Sequence, residues 1–284
     1  MYTLNGEFLS TPIVKIRNLA QRPTIWYSQT DMTPNQPELL SVTALNFSLS
    51  KEKHILKDVS FSVPQGSFTL LCGPNGSGKS VLLRCLKGLE QMQEGTIVLD
   101  GKDVSKDRKK RMQTIGLVFQ DADTQMVGQT VEKDIRFGME NLGLDLEEQN
   151  LRLEQVLQLL DLASQRSQRP RTLSGGEKRR LAIAGVLVMD PKLLVLDEPF
   201  ANLDYRSVVS VLSTLLKLQK EGHTIILVSH EVDKTLSHAD QVLVLEAGRI
   251  VSSGSPREVL PTLSLHGIYL PEGAAVEDLT WLKR

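Results

Sequence analysis

The chain predicts an α/β fold built on a parallel sheet, on three observations. Short apolar runs, Phe68 to Cys72, Ile115 to Phe119, Lys192 to Leu196 and Thr224 to Val228, read as strands buried on both faces. Segments of helical periodicity separate them, most clearly Tyr205 to Lys220. The first run passes through Gly73-Pro-Asn-Gly-Ser-Gly-Lys-Ser80 into Val81, Leu82, Leu83 and Leu86, which is strand, glycine-rich turn and helix in succession.

Taken in order, residues 1 to 41 differ from the rest. Pro12, Pro23, Pro34 and Pro37, many polar residues and one β-like run, Ile13 to Ile16, predict an extension laid on the surface or partly disordered. Its large apolar pair, Trp26-Tyr27, is expected to anchor it to the domain. From Ser41 the alternation of Val42, Ala44 or Leu45, Phe47 and Leu49 predicts a strand, and Ile55 to Val63 a second, with Lys51-Glu52-Lys53 between them. Pro64-Gln65-Gly66 then turns the chain into the central run. Gly95 to Leu99 and Asp100-Gly101 read as a strand and a hairpin turn.

Lys106 to Arg111 is the most basic stretch and reads as a solvated helix face. From Asp121 to about Leu173 the pattern is helical, with Val131 to Leu142 and Glu147 to Leu162 as candidates; the second carries apolar Leu151, Leu153, Val156, Leu157, Leu159 and Leu160. Lys178 to Val188 continues in helix, so an inserted helical subdomain spans about 121–188. The Tyr205 helix closes at Glu221-Gly222, where glycine suits the stop. Gln241 to Leu245 and Arg249 to Ser252 form a hairpin through Ala247-Gly248, Pro256 starts a last helix, and residues 259–284 are a short tail.

The loop Gly73 to Ser80 matches G-x-x-x-x-G-K-[ST] in the context that motif requires. Gly73, Gly76 and Gly78 let the backbone turn so that successive N–H groups of Gly73, Asn75, Gly76, Ser77, Gly78, Lys79 and Ser80 aim at one anion; Pro74, within the loop, has no N–H. Lys79 is expected on the β and γ phosphates of a nucleoside triphosphate and Ser80 on Mg²⁺. The run Leu193 to Leu196 delivers Asp197 and Glu198 at the strand's carboxyl end, where α/β sheets place their chemistry. Asp197 is expected in the Mg²⁺ shell, and Glu198 as the group that polarises attacking water.

The totals set limits. The 284 residues can bury a large core, and a formal charge of -1 gives no overall attraction to nucleic acid or anionic lipid. No basic start followed by an apolar run opens the chain, and no stretch of about 18 apolar residues could span a bilayer. Cys72 and Cys85, without a CxxC or CxxH partner, are expected as buried apolar packing.

Leu173-Ser-Gly-Gly-Glu-Lys-Arg-Arg180 adds a second helix start, where Ser174, Gly175 and Gly176 would present bare N–H groups to an anion. It resembles the signature motif L-S-G-G-[QE] of ATP-binding-cassette (ABC) ATPases, over residues 42–258. The resemblance implies a P-loop NTPase of ABC type, with an N-terminal antiparallel β subdomain and the inserted helical subdomain. It implies ATP and Mg²⁺ as cofactors, Gln120 as a lid glutamine on the metal, Asp204 as part of a dimer-contact loop at the nucleotide, and His230 as a switch histidine. Catalysis would then fall to Glu198, His230, Lys79 and Gln120. One phosphate loop and one signature are present, so a head-to-tail homodimer, or a heterodimer with a paralogue, is expected to sandwich each ATP.

The segments Val118 to Val127, Thr130 to Ile135 and Phe137 to Asn141, and Arg179 to Val186, are similar to ATPases of energy-coupling-factor importers, which take up vitamins, cobalt or nickel. That resemblance implies a transmembrane coupling protein docking a helix near Gln125 to Phe137, a substrate-capture membrane protein, and residence on the cytoplasmic face of the membrane. Two departures stand out. Leu49 occupies the aligned place of the family's adenine-stacking aromatic residue, so stacking is lost or supplied by Phe47 or by Trp26-Tyr27, and Val81 replaces the usual threonine. The alternative is a soluble ABC ATPase acting on nucleic acid or ribosomes, against which stand the short helical insertion and the lack of a basic tail.

Overall fold

Backbone pairing sorts the strands into two sheets in the computed structural model, which describes residues 37–50 and 52–282. The run Ile13 to Ile16 and the pair Trp26-Tyr27 lie outside the described residues. In chain order the elements are β1 (Glu38–Ser48), β2 (His54–Pro64), β3 (Phe68–Cys72), α1 (Lys79–Lys87), β4 (Glu94–Leu99), β5 (Lys102–Asp103), α2 (Arg108–Thr114) and β6 (Ile115–Val118). There follow α3 (Val131–Asn141), α4 (Leu146–Leu159), α5 (Gly175–Leu187), β7 (Leu193–Asp197), α6 (Tyr205–Lys220), β8 (Thr224–Val228), β9 (Gln241–Glu246), β10 (Arg249–Gly254) and α7 (Pro256–Leu263).

The large sheet runs β10-β9-β3-β8-β7-β6, parallel except for the edge strand β10. The small sheet, β2-β1-β4-β5, is antiparallel. Because side chains alternate along a strand, the large sheet feeds two separate cores. Leu70 and Cys72, Leu194 and Leu196, Ile225 and Leu227, Val242 and Val244 pack against α3, α4, α5 and α6. Leu71, Leu193, Val195, Ile226, Val228, Leu243 and Leu245 pack against β1, β2, β4 and α1. The antiparallel sheet and the helical layer thus cover opposite faces of a parallel sheet that the sequence predicts to be buried on both, and Cys72 and Cys85 are free, buried thiols in different cores.

Four expectations change. β1 begins at Glu38, pairing with Pro64, so residues 38–41, read as extension, are sheet. The stretch Lys106 to Arg111 is not wholly a solvated face: Arg111 is 4% exposed and donates from Nη1 to the Cys85 carbonyl at 2.6 Å. Leu151, placed on the apolar side of α4, is exposed, while Leu153, Val156 and Leu157 are buried. The tail also does more than end the chain, since Ile268 and Leu279 join the helical core.

Charged pairs hold the helical layer at its rim. Glu132 on α3 accepts from Arg136 Nε at 2.9 Å and from Arg166 Nε at 2.7 Å, and Arg166 also pairs with Glu154 of α4. The guanidinium of Arg166, foremost, holds the Glu132 carboxyl far down, at about 2 against 4.5 unperturbed. A depressed carboxylate stabilises the fold fully above its unfolded value and stops doing so as pH falls through the folded one. Thermal melts of the wild type and Glu132→Gln should therefore differ most above pH 4.5 and converge as pH approaches about 2. A difference that persists undiminished into that acid range contradicts the ion-pair account.

Candidate nucleotide site

β3 is flanked by β8 and β9, and β7 lies on the far side of β8, so the loops after β3, β7 and β8 open at one sheet edge. The phosphate loop follows β3. Gly73 has φ +143°, and a Cβ there would collide with the Leu245 carbonyl oxygen of β9. Gly78, at φ +107°, is the left-handed cap residue from which α1 starts. Around the loop, Ser77 N–H bonds to the Pro74 carbonyl at 3.2 Å and Gly248 N–H to the Ser77 carbonyl at 3.1 Å. The hairpin after β9 therefore braces the loop from outside.

Lys79 is buried, and its ammonium donates to the Gly73 and Pro74 carbonyls at 2.8 and 3.1 Å. Burial lowers its pKa, and the nearby Glu198 and Asp197 oppose that. The Ser80 hydroxyl donates to Asp197, whose pKa burial raises against that bond and against Lys79, Arg84 and Arg179. Glu198 has a positive φ of 46°, a conformation uncommon outside glycine, and its N–H bonds to the Val228 carbonyl. Its Oε1 accepts from His230 N–H at 3.1 Å and contacts His230 Nδ1 at 2.8 Å. A carboxylate only accepts, so in this contact Nδ1 carries the proton.

The signature forms a second cluster. Ser174 caps α5 in a capping box with Glu177, Ser174 Oγ and N–H both reaching Glu177 Oε2 at 2.7 Å. These bonds, foremost the Ser174 N–H, lower the Glu177 pKa. The N–H groups of Gly175 and Gly176 have no acceptor among the described residues. Gly175 packs on Leu203 and Gly176 on Ser207, while Asp204 between them caps α6 through Ser207 N–H at 2.8 Å. Among the described residues no hydrogen bond or ion pair joins Ser174, Gly175, Gly176 or Asp204 to residues 73–80.

Gln120 is exposed, and its backbone is fixed by a residue the sequence reading did not single out for it. Arg179 of α5, 3% exposed, donates from Nη1 to the Phe119 carbonyl at 2.8 Å and from Nη2 to the Gln120 carbonyl at 2.7 Å. Gln125 Oε1 accepts from Phe119 N–H at 3.1 Å. As for adenine, Phe47 is 5% exposed within the core and cannot stack on a ligand, which removes that substitute. Leu49 is 60% exposed and Trp26-Tyr27 lie outside the described residues.

The donor set fits the implied groups. Ser77 Oγ, in the phosphate loop, is buried without a hydrogen-bond partner, an orphaned polar group of the kind that a bound anion can satisfy. Ser80 and Asp197 offer hard oxygen donors, and no cluster of three or more His, Cys, Asp or Glu among the described residues forms an all-protein cage. That is the pattern Mg²⁺ uses when phosphates and water complete its shell.

Geometry of this kind belongs to proteins that grip a triphosphate by its phosphates, and the two-sheet fold with its helical layer is that of an ATP-binding cassette. The chain belongs to the ABC transporter family, whose model matches residues 56–201. It is a nucleotide-binding ATPase of that family. It is 40% identical over 231 residues to the energy-coupling factor transporter ATP-binding protein EcfA of Methanocaldococcus jannaschii, covering 79% of this chain and 83% of the relative. EcfA1 of Streptococcus mutans is also 40% identical over 231 residues, 80% of this chain and 81% of the relative. Among solved structures, cbiO1 from Clostridium perfringens, part of the ABC transporter complex cbiONQ, aligns with a TM-score of 0.74 at 36% identity, over 80% of this chain and 92% of that one.

Gly73→Ala adds a Cβ against backbone that cannot move aside, and overpacking of about 1–3 kcal/mol borne by the phosphate loop corresponds to roughly a 5- to 150-fold loss of ATP affinity. Isothermal titration of the folded variant checks this; wild-type affinity contradicts the cradle.

Proposed function

We propose that the chain is the ATP-binding and hydrolysing subunit of an energy-coupling-factor type importer of a vitamin or of cobalt or nickel ions. What carries the reading is the likeness, at 40% identity over 79% of the chain, to a protein named as such a subunit. The contact between Glu198 and His230 Nδ1 at 2.8 Å supports turnover rather than passive binding. Among the described residues no helix is long and apolar enough to cross a membrane, which fits a peripheral subunit on the cytoplasmic face, held by membrane partners. Nothing in the relatives favours a cassette acting on nucleic acid.

In this reading the N–H groups of Gly73 and Asn75 to Ser80 cradle the phosphates. Lys79 leaves the Gly73 and Pro74 carbonyls for the β and γ phosphates, exchanging two neutral acceptors for charged ones. Ser80, Gln120 and Asp197 would hold Mg²⁺, which when bound neutralises phosphate charge. Glu198 takes the proton of attacking water, and His230 Nδ1–H orients its carboxylate. The open N–H groups of Gly175 and Gly176, with Ser174, meet the γ phosphate bound to a facing copy or paralogue, and Asp204 lies in the loop that contacts that copy. Closing of that dimer is driven by contacts that exist only with triphosphate between the two halves. A transmembrane coupling protein would dock a helix near Gln125 to Phe137, where Val127 and Phe137 are 59% and 47% exposed. A substrate-capture membrane protein completes the importer.

Glu198→Gln is expected to slow hydrolysis by about 10²–10⁴-fold with ATP binding retained; near wild-type turnover removes Glu198 from the role of base. Lys79→Ala should weaken triphosphate binding itself, and unchanged affinity contradicts the charge exchange. Purification of the tagged chain in detergent should bring down a hydrophobic coupling protein, whereas recovery of ribosomal RNA or DNA in its place overturns the import reading.

A further inference from the structure

The last described residues return to the loops that flank the site. Residues 276–282 begin with a helical turn, Val276–Asp278, bury Leu279 at 1% exposure, and end on Trp281 and Leu282. On one side they grip the segment that follows His230. Ser237 N–H donates to the Leu279 carbonyl at 3.2 Å and Trp281 N–H to the Lys234 carbonyl at 3.3 Å. Trp281 Nε1–H donates to Asp233 Oδ2 at 3.1 Å, and Thr280 Oγ1 lies 2.6 Å from His238 Nε2. On the other side they grip the start of α6: Tyr205 Oη–H donates to the Trp281 carbonyl at 3.0 Å, and the two rings lie 5.5 Å apart.

One cation ties the strap to the histidine's neighbour. Lys234 is 4% exposed, ion-paired with Glu231, and its Nζ lies 4.6 Å from the centre of the Trp281 ring. A buried ammonium needs such partners, and the indole face supplies part of its environment. Glu231 directly follows His230, and Tyr205 directly follows Asp204. Trp281 therefore stands between two loops that no strand pairing joins at that point, one carrying the histidine that orients Glu198 and the other carrying Asp204.

We propose that Trp281 is a positioning residue for ATP hydrolysis: through Lys234, Asp233 and Tyr205 it fixes the loop of His230 relative to the loop of Asp204. The proposal rests on the catalytic reading given above. It assigns the strap a task separate from nucleotide binding, because its contacts go to the loops after β7 and β8 and not to residues 73–80. Loss of the ring frees the histidine loop by small displacements, and misplacement on that scale reduces turnover while leaving the phosphate cradle intact.

The test is steady-state ATPase kinetics of the full-length chain, purified with its membrane partners, for Trp281→Ala and Trp281→Phe, with melting temperatures alongside. Trp281→Ala should lower kcat by about 10- to 100-fold while KM for ATP stays within about twofold. Trp281→Phe keeps a ring between Tyr205 and Lys234 and should restore kcat to within about threefold of wild type. Wild-type kcat in Trp281→Ala overturns the proposal, as does a loss that resides in KM or only follows the folded fraction. Should Trp281→Ala fail to fold, Tyr205→Phe, which removes one hydroxyl of the bridge, must lower kcat at constant KM, and full activity there overturns it equally. Glu198→Gln run in parallel separates the two claims: if it is inactive and Trp281→Ala active, the strap proposal alone falls, and if Glu198→Gln is active the underlying catalytic reading falls.

Discussion

Strand order in the large sheet is the constraint from which the site follows. With β3 between β8 and β9, and β7 beside β8, the carboxyl ends of three neighbouring strands release Gly73, Glu198 and Ser229 at one edge. The same packing draws the Leu245 carbonyl of β9 under Gly73, so the first loop residue must be glycine. Burial of these strands on both faces stabilises the arrangement, at roughly 25 cal/mol for each Å² of apolar surface removed from water. Local strain at Glu198 is sustained because its N–H is held by Val228 and its carboxylate by His230.

The two ends of the chemistry sit on different layers. The cradle, Asp197, Glu198 and His230 belong to the sheet, whereas Ser174, Gly175 and Gly176 belong to the helical layer and pack against the start of α6. α5 carries both the open helix tip and, one turn later, the buried Arg179 that holds the carbonyls of Phe119 and Gln120. Lys178 adds an ion pair with Asp123 at 2.7 Å. A shift of this helix must therefore be felt at Gln120, which gives the proposed dimer closure a physical route to the surface proposed for a membrane partner.

Local signals made much of this legible. The phosphate loop, the acidic strand end and the signature are short and contiguous, and each lies where the order of strands and helices placed it. The uninterrupted apolar runs of β3, β7 and β8 marked strands buried on both faces, and each face feeds a core. Features set by distant partners were not legible. Phe47 obeys strand alternation equally well facing a ligand or a core, and packing chose the core. Arg111 sits in a basic run that looks solvated until the Cys85 carbonyl claims it. Trp281 gains its neighbours from residues dozens of positions upstream, which no window of the sequence contains.

The central claim is that each ATP is held by two half-sites contributed by two cassettes. Light scattering of the Glu198→Gln chain, together with its partner cassette if one co-purifies, measures this directly. The account predicts that ATP with Mg²⁺ converts separate cassettes into pairs and that ADP releases them. A mass unchanged by ATP and Mg²⁺, with nucleotide bound and hydrolysis blocked, would contradict it.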